Sequence, residues 1–230
     1  MNLSDLRGRA RRLSGVHLKD LWPDSDVDSV VNEAYHRILA LADWTFLHTT
    51  ETIVDPDANL EIPEGMAAVR SVAMREPERR DLRPRTVEEL DRQPSFQSDG
   101  LTWAWAVRDD RTLELWPEPE EGVEVVLRGW KRESELGESD EPVFDEEFHA
   151  VVAYEAAARV LAEEGDDSGR SQAYREEVAG YLLRMGQRFV VGDPEEPARV
   201  YMSALAPADD AEVGEQPGPR ERPREEVAPR

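Results

Sequence analysis

Apolar residues in two parts of the chain repeat at the three-to-four-residue spacing of a helix that buries one face. The first stretch, centred on VNEAYHRIL, predicts a helix over 25–47 that closes on aromatic residues. Two stretches containing Phe148 and Tyr174 predict a pair of helices, which the short connection DDSG should hold antiparallel. A short helix is predicted at 3–13, because Ser4 can cap its start and arginines lie near its end.

The pattern changes to short β-rich runs between residues 48 and 131. TTETIVD, MAAVRSVAM, TLELWP and VEVVLRGW are separated by turn-forming segments such as PEG, RDDR and PEPEEG. Trp103 and Trp105 are two positions apart and would share one face of a strand. The region predicts several antiparallel strands in a small sheet or sandwich, with a small helix at TVEELDRQ.

The composition shifts again after residue 191. The last 40 residues hold seven of the sixteen prolines, and ten acidic residues against five arginines. Such a segment cannot bury enough apolar area to offset its ordering entropy. One apolar island, VYMSALAP, stands out within it, and it offers anchors that would gain affinity on docking to a partner.

The chain is strongly acidic, with 51 Asp and Glu against 28 Lys and Arg and a formal net charge of −23. This balance argues against general binding to nucleic acid, since the phosphate backbone requires a basic surface. Two explanations fit the composition equally: a GC-rich genome with an acidic, solubilising surface, or adaptation to concentrated salt, which screens charges beyond about 3 Å at 1 M. The polar N-terminus and the lack of a long apolar run predict neither a signal peptide nor a membrane span.

Candidate chemistry is sparse. His17, His36, His48 and His149 are isolated from one another, and no glycine-rich phosphate loop, nucleophile elbow or H-E-x-x-H pair occurs. DSDVD resembles the start of a calcium loop, but Ser29 stands where that loop needs glycine, so helix capping explains these acids better. The chain has no cysteine. We therefore predict no catalytic, metal or cofactor site, and a protein that is not an enzyme.

The tryptophans allow two interpretations. Five of the six, Trp44, Trp103, Trp105, Trp116 and Trp130, could form a stacking platform for bases or sugars. Such a platform usually has basic residues between its aromatics, and none are interleaved here. Packing in the core or between subunits is therefore the favoured interpretation.

The order of these patterns resembles that of the head-tail adaptor, or connector, proteins of tailed viruses. The segments that carry the resemblance are VNEAYHRIL followed by DWTFL, then LEIP, VRSV, LELWPEP and LRGWKR, and finally DEPVFDEEFHAVVAYEAAARVLAEEGD. The resemblance covers roughly residues 3–190 and rests on the succession of elements, without an invariant chemical motif.

The resemblance implies an α+β fold in which the N- and C-terminal helices form one helical bundle and a small antiparallel β domain is inserted between them. The expected divisions of the chain are as follows: 1–47 and 143–190 for the bundle, 48–135 for the inserted β domain, 136–142 for a linker, and 191–230 for an extended C-terminal tail. The front helix would then pack against the helices that follow residue 143.

The resemblance also implies a structural virion protein. Such adaptors form a ring, typically of about twelve copies, below the portal at one capsid vertex. They extend the DNA channel and present a docking face for the tail. The expected partners are the portal protein, a tail or stopper protein and further copies of the chain, with viral DNA passing through unbound.

Two groups of residues are predicted to make the key contacts. The bundle core and subunit contacts are assigned to Val31, Tyr35, Ile38, Trp44, Phe148, Val152, Tyr181 and Met185. The portal or other partner is expected to bind the tail through Val200, Tyr201, Met202 and Leu205. Three other classes stay open at this point: another neck component such as a stopper or tail-completion protein, a cellular interaction module with an acidic tail, and an enzyme that uses carboxylates of the β domain.

Overall fold

A computed structural model describes most of the chain. The described residues are 1–15, 22–54, 56–75, 80–92, 101–109, 111–165 and 169–205. The predicted α+β class is confirmed, because helices and small sheets both contribute substantially to these ranges. His17 and the tail beyond residue 205 lie outside the described residues.

Six helices are present in the described ranges. They are α1 (Leu3–Ser14), α2 (Asp24–Leu39), α3 (Val87–Asp91), α4 (Ala150–Glu163), α5 (Arg170–Phe189) and α6 (Glu196–Leu205). α1 begins one residue before Ser4, and its cap is Asn2, whose side chain accepts from the Asp5 N–H while the Asp5 carboxylate accepts from the Asn2 N–H. This reciprocal pair satisfies two of the N–H groups that a helix start leaves unbonded.

The front helix is shorter than the pattern predicts. α2 ends at Leu39, and the chain turns through a 3₁₀ segment, Thr45–Leu47, before the first strand. The indole of Trp44 is fully buried, and its N–H donates to the Ile38 carbonyl at 3.0 Å. Because this bond takes one of the carbonyls that a helix end leaves free, the aromatic closes the helix and folds the chain back over its last turn.

Within the described ranges, eight strands form two four-stranded sheets. The strands are β1 (His48–Val54), β2 (Asn59–Glu61), β3 (Met66–Met74), β4 (Arg80–Asp81), β5 (Arg83–Pro84), β6 (Ala104–Val107), β7 (Thr112–Trp116) and β8 (Glu124–Lys131). Their orders are β1-β8-β3-β4 and β2-β7-β6-β5. All pairs are antiparallel except the short β5–β6 pair, which is parallel.

The two sheets share one apolar core, which makes the inserted region a sandwich. Alternate residues of β7 and β8 are buried, including Leu113, Leu115, Val125 and Leu127. Side chains from β2, β3 and β6 complete the same cluster, among them Trp105. The period of two in the sequence thus corresponds to one face of each sheet turned inward.

A second core joins both ends of the described chain. α4 packs against α1, α2 and α5, and α6 packs against α5. Leu6, Ile38, Val152, Leu182 and Tyr201, one from each of these five helices, are all completely buried in this cluster. The front helix therefore buries its apolar stripe against helices that follow it by more than a hundred residues.

The connection from the sandwich back to the bundle is held by specific hydrogen bonds. The buried Asn32 side chain accepts from the Leu136 N–H at 2.7 Å and donates to the Leu136 carbonyl at 3.3 Å. The Val143 N–H donates to the Tyr35 hydroxyl, and the Leu3 N–H donates to the Asp140 carbonyl. The segment around 136–142 is thus bonded along its length to α1 and α2.

The first part of the predicted tail, residues 191–205, is not extended in the structure. It folds into α6, which lies against α5 and places Tyr201 in the bundle core. The approach is close, because a Cβ added to Gly186 of α5 would lie 2.0 Å from the Pro194 carbonyl oxygen. The apolar island predicted to anchor a partner therefore begins as part of the chain's own bundle.

Candidate partner-binding site

The predicted bundle residues lie together in the structure. Val31, Tyr35, Ile38, Trp44, Phe148, Val152 and Met185 are buried in the bundle core. Tyr181 is half-buried at its edge, where its ring lies 5.9 Å from that of Tyr154 and the Arg184 guanidinium lies 4.4 Å above it. These residues hold the subunit itself together, and Tyr181 is the one that also reaches the surface.

The predicted tail residues separate into two groups on α6. Val200 and Met202 are exposed by 42% and 38%, whereas Tyr201 between them is completely buried. The Leu205 side chain lies outside the described residues. Since consecutive helical positions point about 100° apart, only Val200 and Met202 of the described three are available to a partner while α6 stays docked.

A buried polar cluster holds α6 in place. The Tyr201 hydroxyl donates to Glu155 Oε2, and Arg37 Nη1 donates to Glu155 Oε1 at 2.9 Å. The Arg37 guanidinium also lies over the Tyr201 ring, 5.3 Å from its centre. Glu155 is only 1% exposed, so both of its oxygens need these partners. The cluster connects α2, α4 and α6.

Burial, followed by the charge of Glu155 and its hydrogen bond, raises the pKa of the Tyr201 hydroxyl above its ordinary value. The hydroxyl therefore stays protonated at neutral pH, where it donates to Glu155. Such an arrangement positions α6 on the bundle.

Sequence reasoning missed Glu155, although a signal was available. Glu155 follows Val151 by four residues and Val152 by three, so it falls on the apolar stripe of α4. A carboxylate on a buried stripe requires a partner from another element. In a chain with 51 acidic residues, this one was not distinguished from the solvated ones.

A second polar cluster lies where the bundle meets the sandwich. Asp43 Oδ1 accepts from His48 Nε2 and from Trp130 Nε1, both at 2.6 Å, and Asp43 Oδ2 accepts from Arg70 at 3.1 Å. Burial raises the pKa of Asp43, but the hydrogen bonds and charges of these neighbours outweigh it, so the pKa lies below its ordinary value. The carboxylate ties β1, β3 and β8 to the end of α2.

The remaining described histidines are structural in their contacts. His149 is buried, and its Nε2–H donates to the Phe144 carbonyl at 2.8 Å. His36 stacks obliquely beside Tyr35, with ring centres 5.4 Å apart. Within the described ranges, no three His, Asp or Glu side chains are grouped so as to hold a metal ion. No helix in those ranges is long and apolar enough to span a bilayer.

The described chain thus consists of a bundle that joins helices from both of its ends, a sandwich inserted between them, and a last helix, α6, docked on the bundle. The chain belongs to the SU10 adaptor protein family, whose family model matches residues 1–206. It is accordingly a structural head-tail adaptor of a tailed phage and a component of the virion, where it contacts other virion proteins. A comparison with curated proteins gives no match.

Proposed function

We propose that the chain forms a ring below the portal, extends the channel through which DNA leaves the capsid, and provides the docking face for the tail. The observation that carries this proposal is the family match, which extends through the bundle, the sandwich and α6. A ring of about twelve copies is the arrangement that the family resemblance implies.

The portal contact is assigned to α6 and the chain that follows it. Val200 and Met202 are the large apolar side chains exposed in the described part of α6, and they lie a few residues before the segment 206–230 begins. Twenty-five residues can span up to about 80 Å when extended. α6 would give the portal an ordered apolar contact, and the acidic segment 206–230 that follows it would give a second contact farther from the body.

The proposed channel suits DNA that must pass without adhering. Each copy carries a formal charge of −23, so a ring concentrates negative charge around its axis. Phosphates gain little from such a surface, because few cationic side chains are available to replace their counterions. A channel lined by such a surface therefore lets the genome leave quickly, although protein surrounds the DNA.

Binding to portal rings tests the assignment of the contact. A Val200→Asp, Met202→Asp double variant should lose most of its retention by immobilised portal rings, and a chain ending at residue 205 should lose part of it. Val54→Asp is the matched control, because Val54 is 61% exposed but lies on β1 of the sandwich. Full retention of both the double variant and the truncated chain would overturn the assignment.

A further inference from the structure

The second sheet of the sandwich ends in an open groove. The backbone of β5 pairs alongside β6, and the last hydrogen bond is made just after β5, where the Arg85 N–H donates to the Trp105 carbonyl at 2.8 Å. The chain then turns away into α3. The space beyond the end of β5 is a cavity of about 670 Å³, with residues 84–88 on one wall and Trp105, Val107 and Arg108 on the other.

The edge of β6 in this groove has unused hydrogen-bonding groups. Arg108 N–H donates to the Thr112 carbonyl of β7, and bonded positions alternate along an antiparallel pair, so the N–H and C=O of Val107 point away from β7. Neither group has a partner among the described residues, and the Val107 side chain is 46% exposed. Free strand edges of this kind readily accept another strand.

Trp105, on the same wall, has a buried donor without a described partner. Trp105 is only 6% exposed, and its indole N–H has no acceptor within the described part of the chain. Buried donors are nearly always hydrogen-bonded in native proteins. Because Trp105 also lines the groove, its indole is a donor at this site for which the described chain supplies no acceptor.

The groove is lined by two guanidinium groups and by Glu88. Arg85 lies on one wall, with its nearest carboxylate oxygen on Glu89 at 3.7 Å, and Arg108 lies on the other, bonded to Glu114 at 2.6 Å. Guanidinium groups form strong, directional hydrogen bonds with carboxylates. Because the Arg85–Glu89 distance is long, Arg85 is the guanidinium that a glutamate of an entering segment can approach, whereas Arg108 is already bound by Glu114.

The opposite edge of the same sheet has the matching properties. Ala58 O accepts from β7 and Ile62 N–H donates to the Arg111 carbonyl, so the backbone groups of Asn59 and Glu61 in β2 point outward. The side chains of Glu61 and Glu64 are 81% and 91% exposed. β2 and β6 both run antiparallel to β7, so β2 and β6 have the same direction. β5 is parallel to β6 and therefore also has the direction of β2.

The geometry points to a head-to-tail contact between two copies, in which the β2 edge of one copy enters the groove beyond β5 of the next. The entering strand pairs with Val107, and its Glu61 and Glu64 face the wall of the groove that carries Arg85. A contact between two different patches repeats from subunit to subunit and closes as a ring when the rotation permits. The inference rests on the proposed ring and specifies where its subunits meet.

Disulfide trapping tests the contact directly, because the chain has no cysteine of its own. Val107→Cys and Glu61→Cys variants, mixed and mildly oxidised, should form a heterodimer, whereas each alone should form little dimer. Facing strands bring Cα atoms to the separations that a disulfide requires. Glu121→Cys, on the exposed turn before β8, replaces Glu61→Cys as the matched control and should not crosslink with Val107→Cys.

Charge reversal gives the second measurement. Arg85→Glu should lower the crosslinking yield roughly tenfold or more, as expected for one interfacial charge pair. Combining it with Glu61→Arg and Glu64→Arg on the partner copy, with the crosslink moved to Asn59→Cys, should restore much of the yield. Equal crosslinking of the mixture and the Glu121 control would overturn the contact. Rings seen in virion necks without this crosslink would overturn the contact alone, whereas absence of the chain from necks would overturn the proposed function.

Discussion

The bundle and the sandwich differ in how their cores are specified. The sandwich is built from one continuous stretch, β1 to β8, whereas the bundle joins helices from both ends of the described chain. Of the six buried polar or charged side chains in the described part, five lie in the bundle: Ser14, Asn32, His149, Glu155 and Ser171. The hydrogen bonds of Asn32, His149 and Glu155 join segments that are distant in sequence. In the sandwich, distant strands such as β1 and β8 are joined instead by backbone pairing and apolar packing.

The largest loss of stability is expected when Tyr201, which anchors α6 in the bundle, is truncated. Tyr201→Ala should weaken α6 docking by about 3–5 kcal/mol, as for other large buried aromatics, and leave Glu155 with one partner. Amide hydrogen exchange should then quicken throughout α6 while the sandwich strands keep their protection. Tyr201→Phe, the matched control, retains the ring and should cost only about 1–3 kcal/mol through the lost bond. Unchanged protection of α6 in Tyr201→Ala would contradict the anchor.

The next effect separates the sandwich from the bundle. A Cβ at Gly129 of β8 would lie 1.9 Å from the Ala68 carbonyl oxygen, so Gly129→Ala must displace β3 or β8 at a cost of about 1–3 kcal/mol. Exchange should quicken in those two strands and not in α4 or α5. A loss of protection spread equally over both regions would show that they do not respond separately.

The corresponding change in the bundle is Gly186→Ala. The added Cβ meets the Pro194 carbonyl, so α6 should lose about 1–3 kcal/mol of docking free energy, with the sandwich unaffected. Urea unfolding monitored by exchange in α6 measures this. Gly180→Ala on α5 is the matched control: it meets nothing within 4 Å and should stabilise the helix by up to about 1 kcal/mol. Similar behaviour of the two variants would contradict the close approach.

The smallest effect concerns the contact between the regions. Asp43→Asn should cost less than about 1 kcal/mol at pH 7, because the carboxylate is partly exposed and solvent screens it. The pKa of Asp43 is lowered in the folded state. The contribution of Asp43 to the free energy of unfolding is therefore fully present above its unfolded pKa of about 4, and it is lost as the pH falls through the lower folded-state pKa. The difference between wild type and variant in urea unfolding should shrink below about pH 4. A difference that grows on acidification would contradict this sign.

The fold class could be predicted because its signals are periodic and local. The change from helical spacing to alternation places the strands, and Thr86 and Glu89 form the capping box that starts α3 as TVEELDRQ suggests. The end of α2 could not be placed in the same way. It depends on Trp44 folding back onto Ile38, and a pattern of apolar residues does not reveal that contact.

The candidate site was predicted less completely. Composition marked the island at 200–205 as an anchor, but it could not show that Tyr201 binds Glu155 of the same chain. The two residues lie on α6 and α4, 46 residues apart, and the sequence around either one does not indicate that the other is its hydrogen-bond partner. The groove beside β6 depends similarly on where β5 ends and is visible only in three dimensions.

The most direct test of the adaptor assignment is electron cryo-microscopy of the neck of particles from the phage that encodes this chain. The account predicts a ring of copies between portal and tail, with α6 directed toward the portal and the β2 edge of each sandwich against β6 of its neighbour. Intact necks whose density does not contain this chain would contradict it.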